Sequence, residues 1–104
     1  MFHFTTIPRN FTTNQFSRVE FQCSIRLTLI PSFQWNFTRK GSTEAETIVR
    51  GGTVSAGYSI IRGHRSQVLI IPSVQWRHEG VYTCIVSSEN SQIQAEAHLN
   101  VLSK

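Results

Sequence analysis

At 104 residues, 39% hydrophobic and 15% charged, the chain has the size and make-up of one compact module over residues 1–104, neither disordered nor low in complexity. Ten Lys and Arg stand against six Glu and no Asp, for a net charge of +4; with no nucleic-acid motif beside it, that surplus reads as solubility and nucleic acid is not an expected partner. No apolar run approaches the roughly 18 residues that cross a bilayer, so this segment is not expected to insert in a membrane, and Met1-Phe2-His3-Phe4 lacks the pattern of a signal peptide.

In chain order the pattern is strand after strand. Over residues 18 to 27, Val19, Phe21, Cys23, Ile25 and Leu27 alternate with polar or charged neighbours, which predicts a half-buried strand. Over 33 to 37, Phe33, Trp35 and Phe37 share one face and Gln34 and Asn36 the other. Residues 66 to 74 send Leu69 and Ile71 inward with Val74 closing the run, and Pro72, lacking an amide donor, marks the strand end. Tyr82, Cys84 and Val86 line one face of 81 to 88. Ala95, Ala97, Leu99 and Val101 line one face of 94 to 101. Turn residues separate these runs at Arg39-Lys40-Gly41-Ser42, Gly51-Gly52, Gly63-His64 and Asn90-Ser91-Gln92. Seven or more short strands at this spacing predict an all-β chain folded as a two-sheet antiparallel sandwich.

Cys23 and Cys84 fall on inward positions of separate strands, a parity that allows a bridge between sheets packed roughly 10 Å apart. Closing a loop of about 60 residues would stabilise by roughly 4 kcal/mol in the chain-entropy model. Two reduced, buried thiols are the alternative. Asn10-Phe11-Thr12 and Asn36-Phe37-Thr38 are N-glycosylation sequons. Together with the cysteine pair they favour the secretory pathway, and hence an extracellular or cell-surface location. Strand alternation turns Asn36 away from Trp35, so a glycan there would cover the outer sheet face and shift binding to edges and loop ends.

Cys23, Trp35 twelve positions on, Leu69-Ile70-Ile71-Pro72-Ser73-Val74 and Glu79-Gly80-Val81-Tyr82-Thr83-Cys84 together resemble the immunoglobulin superfamily, and the resemblance covers about residues 7 to 102, the expected core of the domain. It implies an immunoglobulin-like Greek-key sandwich with an inter-sheet Cys23–Cys84 disulfide, Trp35 packed on that bridge, and the Tyr82 hydroxyl bonded back to the backbone near His78. One departure stands out. Members usually carry Asp four residues before the tyrosine, paired with an Arg near the start of another strand; here the position is His78, which leaves Arg62 or Arg65 free or differently paired. The interval between the cysteines also leaves room for extra strands between Thr43 and Ser59, with Glu44 to Val49 set beside the Trp35 strand, as in intermediate or variable-like members.

In that topology Thr28-Leu29-Ile30-Pro31-Ser32, Arg62-Gly63-His64-Arg65 and the turn Glu89 to Gln92 gather at one end, where Leu29 and Ile30 would form an apolar centre rimmed by Arg62, His64 and Arg65, a candidate contact site. The alternative is that Leu29 and Ile30 turn inward as core plugs. The opposite end would gather Arg39, Lys40, Trp76, Arg77 and His78, with Trp76 either a binding anchor or a cap on the sandwich or a neighbouring domain.

Chemistry of other kinds finds no support in the sequence. The histidines His3, His64, His78 and His98 are dispersed, so no metal site is expected, no cofactor motif occurs, and without Asp the usual acid–base sets are missing. The reading is a non-catalytic extracellular recognition module from a larger receptor or adhesion protein with neighbouring domains. Its partner is another protein; the alternatives are a structural spacer, or a sulfated-glycan binder using Arg62, His64 and Arg65 or Arg39, Lys40 and Arg77.

Overall fold

The computed structural model describes residues 2–26 and 30–102. Period-two burial builds the strands: β3 (Val19–Arg26) buries Val19, Phe21, Cys23 and Ile25 and turns the residues between them outward. Before it come β1 (His3–Thr6) and β2 (Phe11–Thr13). After it come β4 (Ser32–Arg39), β5 (Ala45–Arg50), β6 (Thr53–Val54), β7 (Ser59–Arg62), β8 (Ser66–Ile71), a 3₁₀ turn at Trp76–His78, β9 (Gly80–Ser88) and β10 (Ser91–Val101).

They form two sheets, β1-β3-β8-β7 and β2-β10-β9-β4-β5-β6. Cys23 in the first and Cys84 in the second are bridged, with Cα atoms 6.5 Å apart. Trp35 lies in register beside Cys84, and its indole N–H donates to Gln67 Oε1 at 2.9 Å, while Gln67 itself is paired with Cys23 across β3 and β8. The upper core is therefore a disulfide, an indole and one buried amide tied together across both sheets. Below it Tyr82 stacks between Phe21, at 5.0 Å, and Phe37, at 4.5 Å.

Several predicted boundaries move. The expected core began near Ile7, but Phe2 is buried and packs with the central cluster. The N-terminal segment supplies two strands that short length hid from pattern reading: β1 runs antiparallel to β3, whereas β2 pairs parallel to β10, the one parallel pair among the described strands. The switch between sheets passes through buried Pro8, which has no N–H to give either ladder. β10 starts at Ser91, and the last turn contracts to Glu89 and Asn90, because Ser91 and Gln92 pair with Ser88 and Ser87. The extra strand beside Trp35 is β5, antiparallel to β4, followed after Gly51–Gly52 by the short β6; adding both to the β4 sheet is the variable-type arrangement.

Candidate recognition site

His78 is 3% exposed and stands under the 3₁₀ turn that precedes β9. The Tyr82 hydroxyl donates to the His78 carbonyl at 2.7 Å, the bond back to the chain that the tyrosine position predicted. The Gln75 backbone N–H donates to His78 Nδ1 at 2.8 Å. Burial, and then the neighbouring Arg77, hold the imidazole below its ordinary pKa. The residue against it is not an arginine. Tyr58, just ahead of β7, meets the His78 ring edge-on at 5.5 Å, and its hydroxyl lies 3.5 Å from that of Tyr82. Burial raises the pKa of both phenols. A Tyr–His contact thus stands at the position where His78 had already ruled out the usual charged pair. Arg62 lies at the far end of β7, where its guanidinium donates to the Gly51 carbonyl at 3.4 Å, and Arg65 follows in the next turn, its own carbonyl accepting from Ile25 N–H.

Register places Ile30 and Pro31 ahead of β4, the β5–β6 turn and the β7–β8 turn at one end, because β4 begins opposite the end of β9 and β8 begins opposite the end of β3. There Ile30, Pro31 and Phe33 share a cleft of about 270 Å³ with Arg62, Gly63 and His64. Ile30 is 82% exposed, so it is no core plug. Leu29 lies outside the described residues. The bond from Arg62 to Gly51 spans the two sheets and sets the basic wall of this cleft.

At the opposite end Trp76 is 44% exposed on the 3₁₀ turn. His78, grouped with this surface by sequence, is instead buried beneath it. Arg39 and Arg77 line a cleft of about 240 Å³ together with Glu46, Tyr58 and His78. Lys40 Nζ lies 3.7 Å from Glu79 Oε1, whose other oxygen accepts from Val101 N–H. Positive charge here is interleaved with two carboxylates that sequence reading had not assigned to this end.

Of the two sequons, Asn10 is exposed and its Oδ1 accepts from the His98 backbone N–H at 2.8 Å. Asn36 is half-buried in the middle of the second sheet, paired with Thr83 and Thr47, and its Oδ1 accepts from Gln34 Nε2 at 3.0 Å and Thr47 Oγ1 at 3.1 Å. Among the described residues no group of three or more His, Cys, Asp or Glu is arranged to hold a metal, and no helix is long and apolar enough to cross a membrane.

A bridged pair of sheets, an indole on the bridge and a buried tyrosine bonded back to its own turn define the architecture, and the family model of the immunoglobulin domain matches residues 9–97. The chain belongs to the immunoglobulin domain family. This immunoglobulin domain superposes on a chimeric titin Z1Z2-Z1Z2 tandem with a TM-score of 0.83 at 24% identity, over 98% of the chain and 50% of the titin chimaera. The titin M10–obscurin-like 1 Ig complex gives 0.78 at 20% identity over 97% and 93% of the two chains. Dpr11 IG1 bound to DIP-gamma gives 0.77 at 18% identity over 97% and 50%. At these identities the likeness is one of fold. No curated protein matches the domain in sequence. Immunoglobulin domains are typically protein-binding or structural modules and generally non-catalytic.

Proposed function

We propose that this domain is a non-catalytic extracellular recognition module, part of a larger adhesion or receptor protein, that binds another protein through the Ile30 end of the sandwich. The observation that carries the reading is Ile30, 82% exposed, sharing one cleft with Arg62 and His64. An apolar centre with a charged rim is the anatomy of a protein contact. The disulfide and the two sequons support the secretory pathway, although titin, whose domains share the fold, is intracellular. Two of the similar structures are complexes between proteins, titin M10 with obscurin-like 1 and Dpr11 with DIP-gamma, and they support protein binding as the mode. Glycosylation of Asn36, at the centre of the second sheet, would leave the loop ends as the open surfaces.

A second reading, sulfated-glycan binding, rests on Arg62, His64 and Arg65 or on Arg39, Lys40 and Arg77. The latter set is weakened by Glu79 beside Lys40 and by Glu46 in the cleft that Arg39 and Arg77 line. A spacer role would need neither end. Multimers of the domain secreted from animal cells, applied to cells before and after heparan digestion, separate the three. Saturable binding that survives digestion supports protein recognition. Loss of binding on digestion, or in roughly 0.3 M salt, supports the glycan, and absence of binding to any cell type supports the spacer.

A further inference from the structure

The bonds around His78 admit one protonation state. Because Gln75 N–H donates to Nδ1, that nitrogen is unprotonated, and the neutral ring carries its proton on Nε2. Nε2 is buried with no hydrogen-bond partner among the described residues. A second proton has only Nδ1 to go to, where it removes the acceptor that anchors Gln75, the residue opening the 3₁₀ turn. The groups facing the ring offer a cation nothing in return. Arg77 neighbours it on the turn and Arg39 lines the same cleft from β4. Tyr58 and Tyr82 are phenols that burial keeps neutral, the latter already donating to the His78 carbonyl. Glu46, on β5, lines the cleft but forms no bond to the ring, and Glu79 is engaged by Val101 N–H and Lys40.

The rest of β9 is held independently of this bond. Cys84 is bridged to Cys23, and Tyr82 is clamped between Phe21 and Phe37. In the turn itself Trp76 and Arg77 are exposed; its two ends are tied by His78 N–H to the Gln75 carbonyl and Glu79 N–H to the Trp76 carbonyl, and its far end is anchored where Lys40 N–H donates to the Glu79 carbonyl. We propose that His78 is an acid-operated latch whose protonation releases the Gln75–Glu79 turn, and with it the surface of Trp76 and Arg77, while both sheets stay folded. The inference concerns the end opposite the Ile30 cleft and does not rest on the binding reading.

The sign follows from linkage. The closed turn holds a histidine of lowered pKa and the open turn one of ordinary pKa, about 6.5. Closure is therefore fully favoured above that pH. The open fraction rises about tenfold for each pH unit below it, until the closed form itself begins to protonate.

Imidazole and amide NMR spectra of the ¹⁵N-labelled domain between pH 8 and pH 4 test this, with His78→Asn, which keeps an acceptor and cannot gain the proton, as control. Nδ1 is expected unprotonated at neutral pH. Below about pH 6.5, Gln75–Glu79 amides and the Trp76 indole are expected to move together with Nδ1 protonation, while Cys84, Val86 and the Trp35 indole stay fixed. In His78→Asn the same turn signals are expected to be flat. Three results overturn the latch: His78 titrating while Gln75 stays fixed, no His78 titration down to pH 4, or core signals of β9 collapsing together with those of the turn. Should His78→Asn fail to fold, the unsubstituted domain decides alone.

Discussion

Tyr82 joins the most separate parts of the chain: its ring stacks on Phe21 from the first sheet and Phe37 from the second, and its hydroxyl reaches the His78 carbonyl. Replacing it with Phe keeps the stack and leaves that buried carbonyl short of a donor, which is expected to cost about 1–2 kcal/mol in denaturant unfolding. Gly80, two residues earlier, has φ +152° and faces Thr38 O and the Phe37 ring, so that a Cβ would collide with both. Gly80→Ala is expected to cost about 3 kcal/mol, as overpacking and left-handed backbone strain combine; a melting temperature unchanged from the parent would contradict the close approach of β4 and β9. Tyr82, the cysteines and Trp35 were legible because their spacing and parity are local properties of strands. Gln67 and Tyr58 were not. What makes them important is the residue that packing of the two sheets brings against each of them, Trp35 at a separation of 32 and Tyr82 at 24, and no window along the chain contains both members of either pair.

At the scale of elements, alternation identified the long strands, since one-sided burial leaves its mark over five or more residues. The 4-residue β1 and 3-residue β2 are too short to show a period. Their sheet assignment depends on partners at residues 24–26 and 99–101. The β9–β10 hairpin shows a different limit. Ser91 and Gln92 have turn-like chemistry but are held in the ladder, which leaves a two-residue turn with Glu89 at φ +53°. A side chain in that region carries strain that glycine avoids, so Glu89→Gly is expected to raise stability by about 0.5–1 kcal/mol. A loss of that size would show that Glu89 makes contacts at this end that outweigh its backbone strain. The departure at His78 was legible as an unusual residue that removes the usual ion pair, but the residue that packs against it was not. β7 begins at Ser59, and Tyr58 just ahead of it meets the His78 ring, a contact between residues 20 apart that local pattern does not reveal.

For the whole molecule, the disulfide joins strands 61 residues apart in sequence through the centre of both sheets. Replacing Cys23 and Cys84 together by Ala is expected to lower unfolding stability by about 2–5 kcal/mol, read as a lower urea midpoint. The two ends of the sandwich differ in kind. At one, Ile30 stands out beside Arg62 and His64; at the other, arginines alternate with carboxylates around a turn pinned by a neutral histidine. Sequence showed that both ends were basic and left Ile30 as either an apolar centre or a core plug; the fold decides that it is exposed and brings Glu46 and Glu79 to the other end. The most direct test compares saturable cell binding by secreted multimers of the parent domain, of Ile30→Glu with Arg62→Glu, and of Trp76→Ala with Arg77→Glu, each verified as folded. The account predicts that the first pair loses binding by at least about tenfold, as hot-spot residues do, while the second pair binds as the parent does. Binding that survives at the Ile30 end and disappears at the Trp76 end would contradict it.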